Sequence, residues 1–171
     1  MKRIVFDSSS LILLAKITLL EIFTKLFDKN YIPKEVFNES IVKGKEKGMI
    51  DVKIMENMID QKNIDVRRVE NMKMVEELCN LFNLDRGEAE SIALSEEVNA
   101  DLLITEDDRA RKIAERLKIK FTTCPDIILF LTKRGMITKK KALEALDNLQ
   151  KFGWYKDWVI QEVIERIGDI K

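Results

Sequence analysis

The sequence predicts an α/β fold, a three-layer α/β/α arrangement with a mainly parallel central sheet and a C-terminal helical extension. Short apolar runs at Arg3-Ile4-Val5-Phe6, Tyr31-Ile32, Leu102-Leu103-Ile104-Thr105 and Lys120-Phe121-Thr122 alternate with segments of helical periodicity, as strands alternating with helices do. The first run is apolar and β-branched, as expected of a buried strand. Two of the runs end on acids, at Asp7 and at Glu106-Asp107-Asp108. Ligands of open parallel sheets bind beyond the carboxyl ends of the strands. If these two strands lie parallel in one sheet, Asp7 and Asp107 approach each other.

The chain of 171 residues suits one domain with a sizeable core, and its 46% hydrophobic and 35% charged content is that of a globular protein. Lys16 interrupts the apolar run from Leu11 to Leu20, and Asp7 with three serines precedes it, so neither a membrane span nor a secretory signal fits. A cytoplasmic location is expected. With 30 basic and 30 acidic residues, the charge argues against a strongly basic, duplex-gripping surface and leaves local basic patches open. Cys79 and Cys124 form no C-x-x-C and read as reduced core residues. There is no histidine, which removes His-dependent triads and imidazole zinc sites and leaves carboxylates as the plentiful acid, base and ligand groups.

Each element has a local reason. Thr18-Leu19-Leu20-Glu21 has the form of a capping box, with Ile22, Phe23, Leu26 and Phe27 following at helical spacing, so a helix is expected near Thr18. Pro33 suits the opening of a helix that carries Val36, Phe37, Ser40 and Ile41 on one face and Glu39 on its rim. Ile50, Ile54, Met58 and Ile59 suit the next helix, Ile64, Val66 and Val69 an extended run, and Met74, Val75, Leu78, Leu81 and Phe82 a further helix. Asp85 with Glu88 makes a second capping box, a helix spans about Arg109 to Leu117, and Pro125 opens one ending near Gly135. Residues 136–171 differ. Ala142, Leu143, Leu146 and Leu149 make one amphipathic helix, and Ile160, Val163, Ile164 and Ile167 another. With Trp154, Tyr155 and Trp158 between them, they form a helical hairpin packed on residues 1–135 or on a second subunit. The same apolar residues make a homodimer an expectation.

The acids divide by context. Asp7 at a strand end is either a site residue or the cap of the following turn. Of Asp107 and Asp108, one is expected to cap the helix that follows. Glu39 by itself is an ordinary surface residue. Glu88 fills the capping-box position, which accounts for it structurally. Glu90 has Ala93 and Leu94 at i+3 and i+4 and needs a partner if that face is buried.

Four motifs in order carry a resemblance: Val5-Phe6-Asp7-Ser8-Ser9, Ile32-Pro33 with Val36 and Glu39, Gly87-Glu88-Ala89-Glu90 running into Ile92-Ala93-Leu94, and Leu103-Ile104-Thr105-Glu106-Asp107. Over roughly residues 1–135 the chain resembles PIN domains, and its tail resembles that of an archaeal and bacterial PIN-like subgroup. The resemblance implies a Mg²⁺- or Mn²⁺-dependent ribonuclease, in many cases the toxin of a toxin-antitoxin pair with an antitoxin protein as partner, and since a narrow acidic cleft admits an extended strand more easily than a duplex, single-stranded RNA is the expected substrate. It places the catalytic acids on Asp7, Glu39, Glu90 and Asp107, the metal on Asp7, Glu90 and Asp107, and auxiliary roles on Ser9, Thr105 and Asp108. Glu90 stands where many members have Asp.

The chemistry agrees with an all-oxygen site. Two carboxylates about 4 Å apart repel by roughly 4 kcal/mol at an effective dielectric near 20, so a converging group of acids calls for a hard cation. Arg109, Arg111 and Lys112 after the last acids, and Lys43, Lys45 and Lys47 after Glu39, either contact phosphate or form a solvated face. The rival reading is a catalytically inactive nucleic-acid-binding or protein-interaction module in which the acids cap helices.

Overall fold

The computed structural model describes residues 1–170. Five parallel strands, β1 (Arg3–Phe6), β2 (Lys29–Pro33), β3 (Asp65–Arg67), β4 (Leu102–Ile104) and β5 (Phe121–Thr122), form one sheet in the order β3-β2-β1-β4-β5. Ile4, Val5 and Phe6 at its centre are fully buried. Successive side chains of a strand point to opposite faces, and here they enter different halves of the core. Ile4, Phe6, Ile32 and Ile104 pack with α1 (Ser8–Lys16), α2 (Leu20–Thr24), α5 (Val52–Asp60) and α9 (Cys124–Lys133). Val5, Tyr31 and Leu103 pack with α6 (Met72–Phe82), α7 (Arg86–Glu97) and α8 (Asp108–Arg116). The expected three-layer α/β/α architecture is present.

The tail helices α10 (Lys139–Phe152) and α11 (Asp157–Gly168) pack on each other and on α9 within the same chain. Leu146, Leu149, Ile160 and Ile167 are buried in the half of the core that holds Phe6. The isoleucine-rich face on which a homodimer was expected is therefore covered within the chain. Trp154 and Trp158 stay exposed. No helix among the described residues is long and apolar enough to cross a membrane.

Three local expectations are corrected. Thr18 does not cap a helix: its φ of 59° is left-handed, whereas an N-cap needs extended backbone, and α2 starts without a side-chain cap. The chain already enters α1 at Ser8, straight after β1. Next, α5 buries Val52, Met55 and Met58 and leaves Ile50 and Ile54 exposed, a face rotated from the one the isoleucines mark. Likewise α6 buries Val75 and Leu78 while Leu81 and Phe82 are exposed at its end. The helix expected after Pro33 is real but composite. It is built of α3 (Lys34–Phe37), a π-helical turn (Asn38–Val42) and α4 (Lys43–Glu46), with Ser40 closing on the Val36 carbonyl at 2.5 Å.

Leu146→Ala removes a fully buried side chain where α10 meets α9. A loss of about 2–5 kcal/mol is expected. In urea unfolding it should appear as a lower midpoint of a single transition, because tail and sheet share one core; a separate early transition of the tail would contradict this.

Candidate active site

β1 and β4 are neighbours with Phe6 opposite Ile104, and the sheet order reverses direction between them. Such a switch point leaves a crevice beyond the strand ends. Asp7 follows the first of these strands directly, and Thr105, Glu106 and Asp107 follow the second.

Asp7 is 2% exposed. Its Oδ1 accepts the Ser10 amide at 2.8 Å and so caps α1. The Ser10 hydroxyl lies 2.5 Å from that same oxygen and 2.8 Å from the Ile104 carbonyl, bridging the two strand ends. Oδ2 has only a long contact, 3.4 Å, from the Glu106 amide. The buried Thr105 hydroxyl beside it has no hydrogen-bond partner of normal geometry. Burial pushes the Asp7 carboxyl above the ordinary carboxylate range, and its contacts with Ser10, Thr105 and Glu106 pull it part of the way back.

Asp107 is the cap of α8, with Oδ1 accepting the Arg109 and Ala110 amides, each at 2.8 Å. Glu88 accepts the Asp85 amide on Oε2 at 2.9 Å, which closes the capping box predicted for α7. It also stands within the field of Asp107 and Asp7. Partial burial, then Asp107, Asp85 and Asp7, push the Glu88 carboxyl up to about 7 against the pull of the Asp85 amide. Glu39 comes from the π-helical turn and is half-buried. Burial raises its carboxyl, a Ser8 hydrogen bond lowers it, and Glu35 raises it again. Its Oε2 lies where a side chain at Gly87 would be, 2.5 Å from an ideal Cβ, so Gly87 is what lets α7 approach the carboxylate.

Glu90 is not brought into this group. Its Oε1 pairs with Arg86 Nε at 3.2 Å, and its Oε2 accepts the Glu35 amide at 3.2 Å, tying α7 to the start of α3. The reason is geometric: at 3.6 residues per turn, Glu88 and Glu90 project about 200° apart, so one alone can face the strand ends. The signal was present in the sequence. Ser91 and Ser95, at i+3 and i+7 from Glu88, are buried, and the Ser91 hydroxyl lies 3.4 Å from the Phe6 carbonyl. The face of Glu88 is thus the face laid on the sheet.

The smaller expectations sort similarly. Ser9 is exposed on the crevice wall, and the serines beside the acids are Ser10 and Ser8. Asp108 pairs with Arg111 on the surface of α8, Arg109 Nε is 3.9 Å from Asp107, and Lys112 is exposed. Lys43 faces Glu39, Lys45 pairs with Glu56, and Lys47 is exposed. Glu106 is engaged on both oxygens, by the Cys124 amide at 2.7 Å and the Tyr155 hydroxyl at 2.5 Å. Burial raises its carboxyl despite these bonds.

Among the described residues, no three acidic or thiol side chains are already gathered at ion-binding distance. The donor set nevertheless fits a hard divalent cation. Asp7, Glu88 and Asp107 each have one oxygen held by backbone amides, the other oxygens are uncommitted or nearly so, and the orphaned Thr105 hydroxyl lies beside them.

An open parallel sheet with acids at its switch point defines a class of α/β domain that works at its strand ends. A family model described as PIN domain matches residues 3–169, so the chain belongs to the PIN-domain family, whose members are generally nucleases. That match includes the helical tail. Among solved structures the chain resembles the crystal structure of PAE2754 from Pyrobaculum aerophilum. The TM-score is 0.54 at 16% identity, over 77% of this chain and 97% of that one, which shows a shared fold. No curated protein sequence matches.

Two predictions follow from the electrostatics and the packing. Glu88, raised to about 7, holds more protons when folded than when unfolded between about pH 4.5 and 7, so stability falls as pH rises through that window. The thermal midpoint of metal-free protein should therefore drop between about pH 5 and pH 8, and Asp107→Asn should reduce the drop; an unchanged drop would show that Asp107 does not act on Glu88. Gly87→Ala should displace the Glu39 carboxylate, the movable end of its side chain, at little cost because Ala is favoured over Gly in a helix by up to about 1 kcal/mol. A nuclease assay beside a melting curve should show activity reduced on the order of 10–100-fold at near-normal stability.

Proposed function

We propose that the protein is a Mg²⁺- or Mn²⁺-dependent endoribonuclease that hydrolyses single-stranded RNA. The observation that carries the reading is the trio Asp7, Glu88 and Asp107 around the β1–β4 switch point, each with one oxygen fixed by backbone amides. These three would hold the ion, with Glu88 in the place expected of Glu90. When bound, the ion supplies Lewis-acid stabilisation of charge on the phosphodiester and a nucleophile at neutral pH.

The chain's own groups do the rest. Capping fixes one oxygen each of Asp7 and Asp107, so little ordering of these carboxylates is left to be done when substrate arrives. Thr105 offers a hydroxyl with unused hydrogen-bonding capacity next to Asp7. Glu39, its carboxyl raised by burial, is the group we assign to take a proton from the attacking water, since a raised carboxyl is a stronger base than an ordinary one. Arg111 lines the crevice and offers a cation to the RNA backbone. A narrow acidic crevice admits an extended strand more readily than a duplex. Family membership supports extending the proposal to a toxin restrained by an antitoxin protein, in the cytoplasm.

The test is cleavage of a labelled single-stranded RNA in Mn²⁺. Activity should vanish in EDTA and fall by at least about 100-fold in Asp7→Asn and in Glu88→Gln, more than loss of an outer-shell partner usually costs. Glu90→Gln should stay within a few-fold of wild type, because its hydrogen bonds go to Arg86 and the Glu35 amide. A Glu90→Gln as inactive as Glu88→Gln would overturn the assignment. Full activity in Asp7→Asn would remove Asp7 from the site, and absence of both cleavage and metal binding in the wild-type protein would favour the interaction-module reading.

A further inference from the structure

The crevice does not end at the acids. A cavity of about 740 Å³ extends from Glu88 and Asp107 to the turn between α10 and α11, where Phe152, Trp154, Lys156 and Trp158 line it. Trp154 is fully exposed and Trp158 is 64% exposed, so neither indole contributes what a buried one contributes to folding.

The turn that carries them is nevertheless held in place. A Cβ at Gly153 would stand 2.5 Å from the Tyr155 ring and 2.9 Å from the Leu149 carbonyl oxygen, so glycine lets the ring fold back against the helix end. The Tyr155 hydroxyl donates to Glu106 at 2.5 Å, and Glu106 precedes Asp107. The ring of Tyr155 faces in, and Trp154 beside it faces out. An indole in water on an anchored turn, at the far end of the cavity that begins at the acids, is a surface built to be covered. Charge indicates by what. On the tail side Arg166 pairs with Glu162 at 3.6 Å, and Lys156 has no acidic partner among the described residues, so the unneutralised charge of this wall is positive, which suits a polyanion with flat apolar groups.

We infer that Trp154 and Trp158 form a base-stacking subsite that holds the single strand flanking the scissile phosphate. The inference takes the identity of the acidic end from the nuclease reading, but stacking itself needs neither ion nor cleavage. Unpaired bases expose both faces to an aromatic ring; bases inside a duplex do not. The tail thereby supplies a reason for single-strand preference that the acids do not.

The chain has two tryptophans, both in the subsite, so its intrinsic indole fluorescence reports on this place alone. Wild-type protein in EDTA is titrated with a short single-stranded oligouridylate and with an RNA duplex, and affinities are taken from the anisotropy of labelled RNA. The single strand should quench the indoles and the duplex should not. Trp154→Ala and Trp158→Ala should each weaken binding by roughly tenfold, with Trp154→Phe recovering most of it. Unchanged affinity in both alanine variants, or RNA binding without quenching, overturns the subsite, as does quenching by a protein partner and not by RNA. The two readings fail separately. Quenching by a protein that cuts no RNA in Mn²⁺ removes the nuclease reading and keeps the subsite. Cleavage by the double alanine variant at the wild-type KM does the reverse.

Discussion

β1 passes into α1 with a single residue between them, and that junction closes only because Asp7 supplies an acceptor for the first helical amides. Much of the crevice hangs on this bond. It sets where α1 leaves the sheet, and through the Ser10 hydroxyl it reaches the Ile104 carbonyl and holds β4 in step with β1. Burial opposes it, since a carboxylate 2% exposed is costly to ionise and Asp7 is correspondingly raised. The fold thus keeps an acid in a place where an amide would cap a helix almost as well. That choice makes sense if the charge is wanted for something other than the cap.

The same double use recurs at Glu88 and Asp107. Each is a cap, and each still has an oxygen free. Capping and site formation are therefore not rival explanations of one acid, because a carboxylate has two oxygens and a cap occupies one. The resemblance placed the third acid at Glu90, and a capping role that already accounted for Glu88 gave no reason to prefer Glu88. The capping box at Asp85 and Glu88 was legible, and it was taken to exhaust Glu88. Weighing which face of α7 carries buried serines would have placed Glu88 over the strand ends and Glu90 against α3.

Much of the fold was legible for a simple reason. Strands buried on both faces need continuous apolar residues, and Arg3 to Phe6 and Leu102 to Ile104 have few other readings. Helix existence was legible as well, but helix rotation was less so. Ile50 and Ile54 lie outside the core while Val52 and Met55 lie inside, because α5 follows a turn whose direction depends on contacts with α1 that no local pattern encodes. Thr18 shows the limit from the other side. Its sequence matches a capping box, but the backbone there is left-handed to turn the chain from α1 into α2. The π-helical turn that carries Glu39 has no sequence signature that we recognise. Glu39 itself was found through the family resemblance.

Three consecutive residues after β4 divide the remaining work. Thr105 turns its hydroxyl to Asp7, Glu106 binds the tail, and Asp107 caps α8. Glu106, which in sequence is one more acid in a run, has both oxygens occupied by Cys124 and Tyr155, so its bonds leave it no free oxygen to offer a ligand. Its bond to Tyr155 gives the tail a mechanical connection to the acidic end of the crevice. A tail packed on α9 alone would satisfy the apolar faces of α10 and α11. The further link from Tyr155 fixes the turn between them against β4, and it is this turn that carries the exposed indoles. The position of the exposed indoles relative to the strand end is thus held by a side-chain bond from the residue next to Asp107.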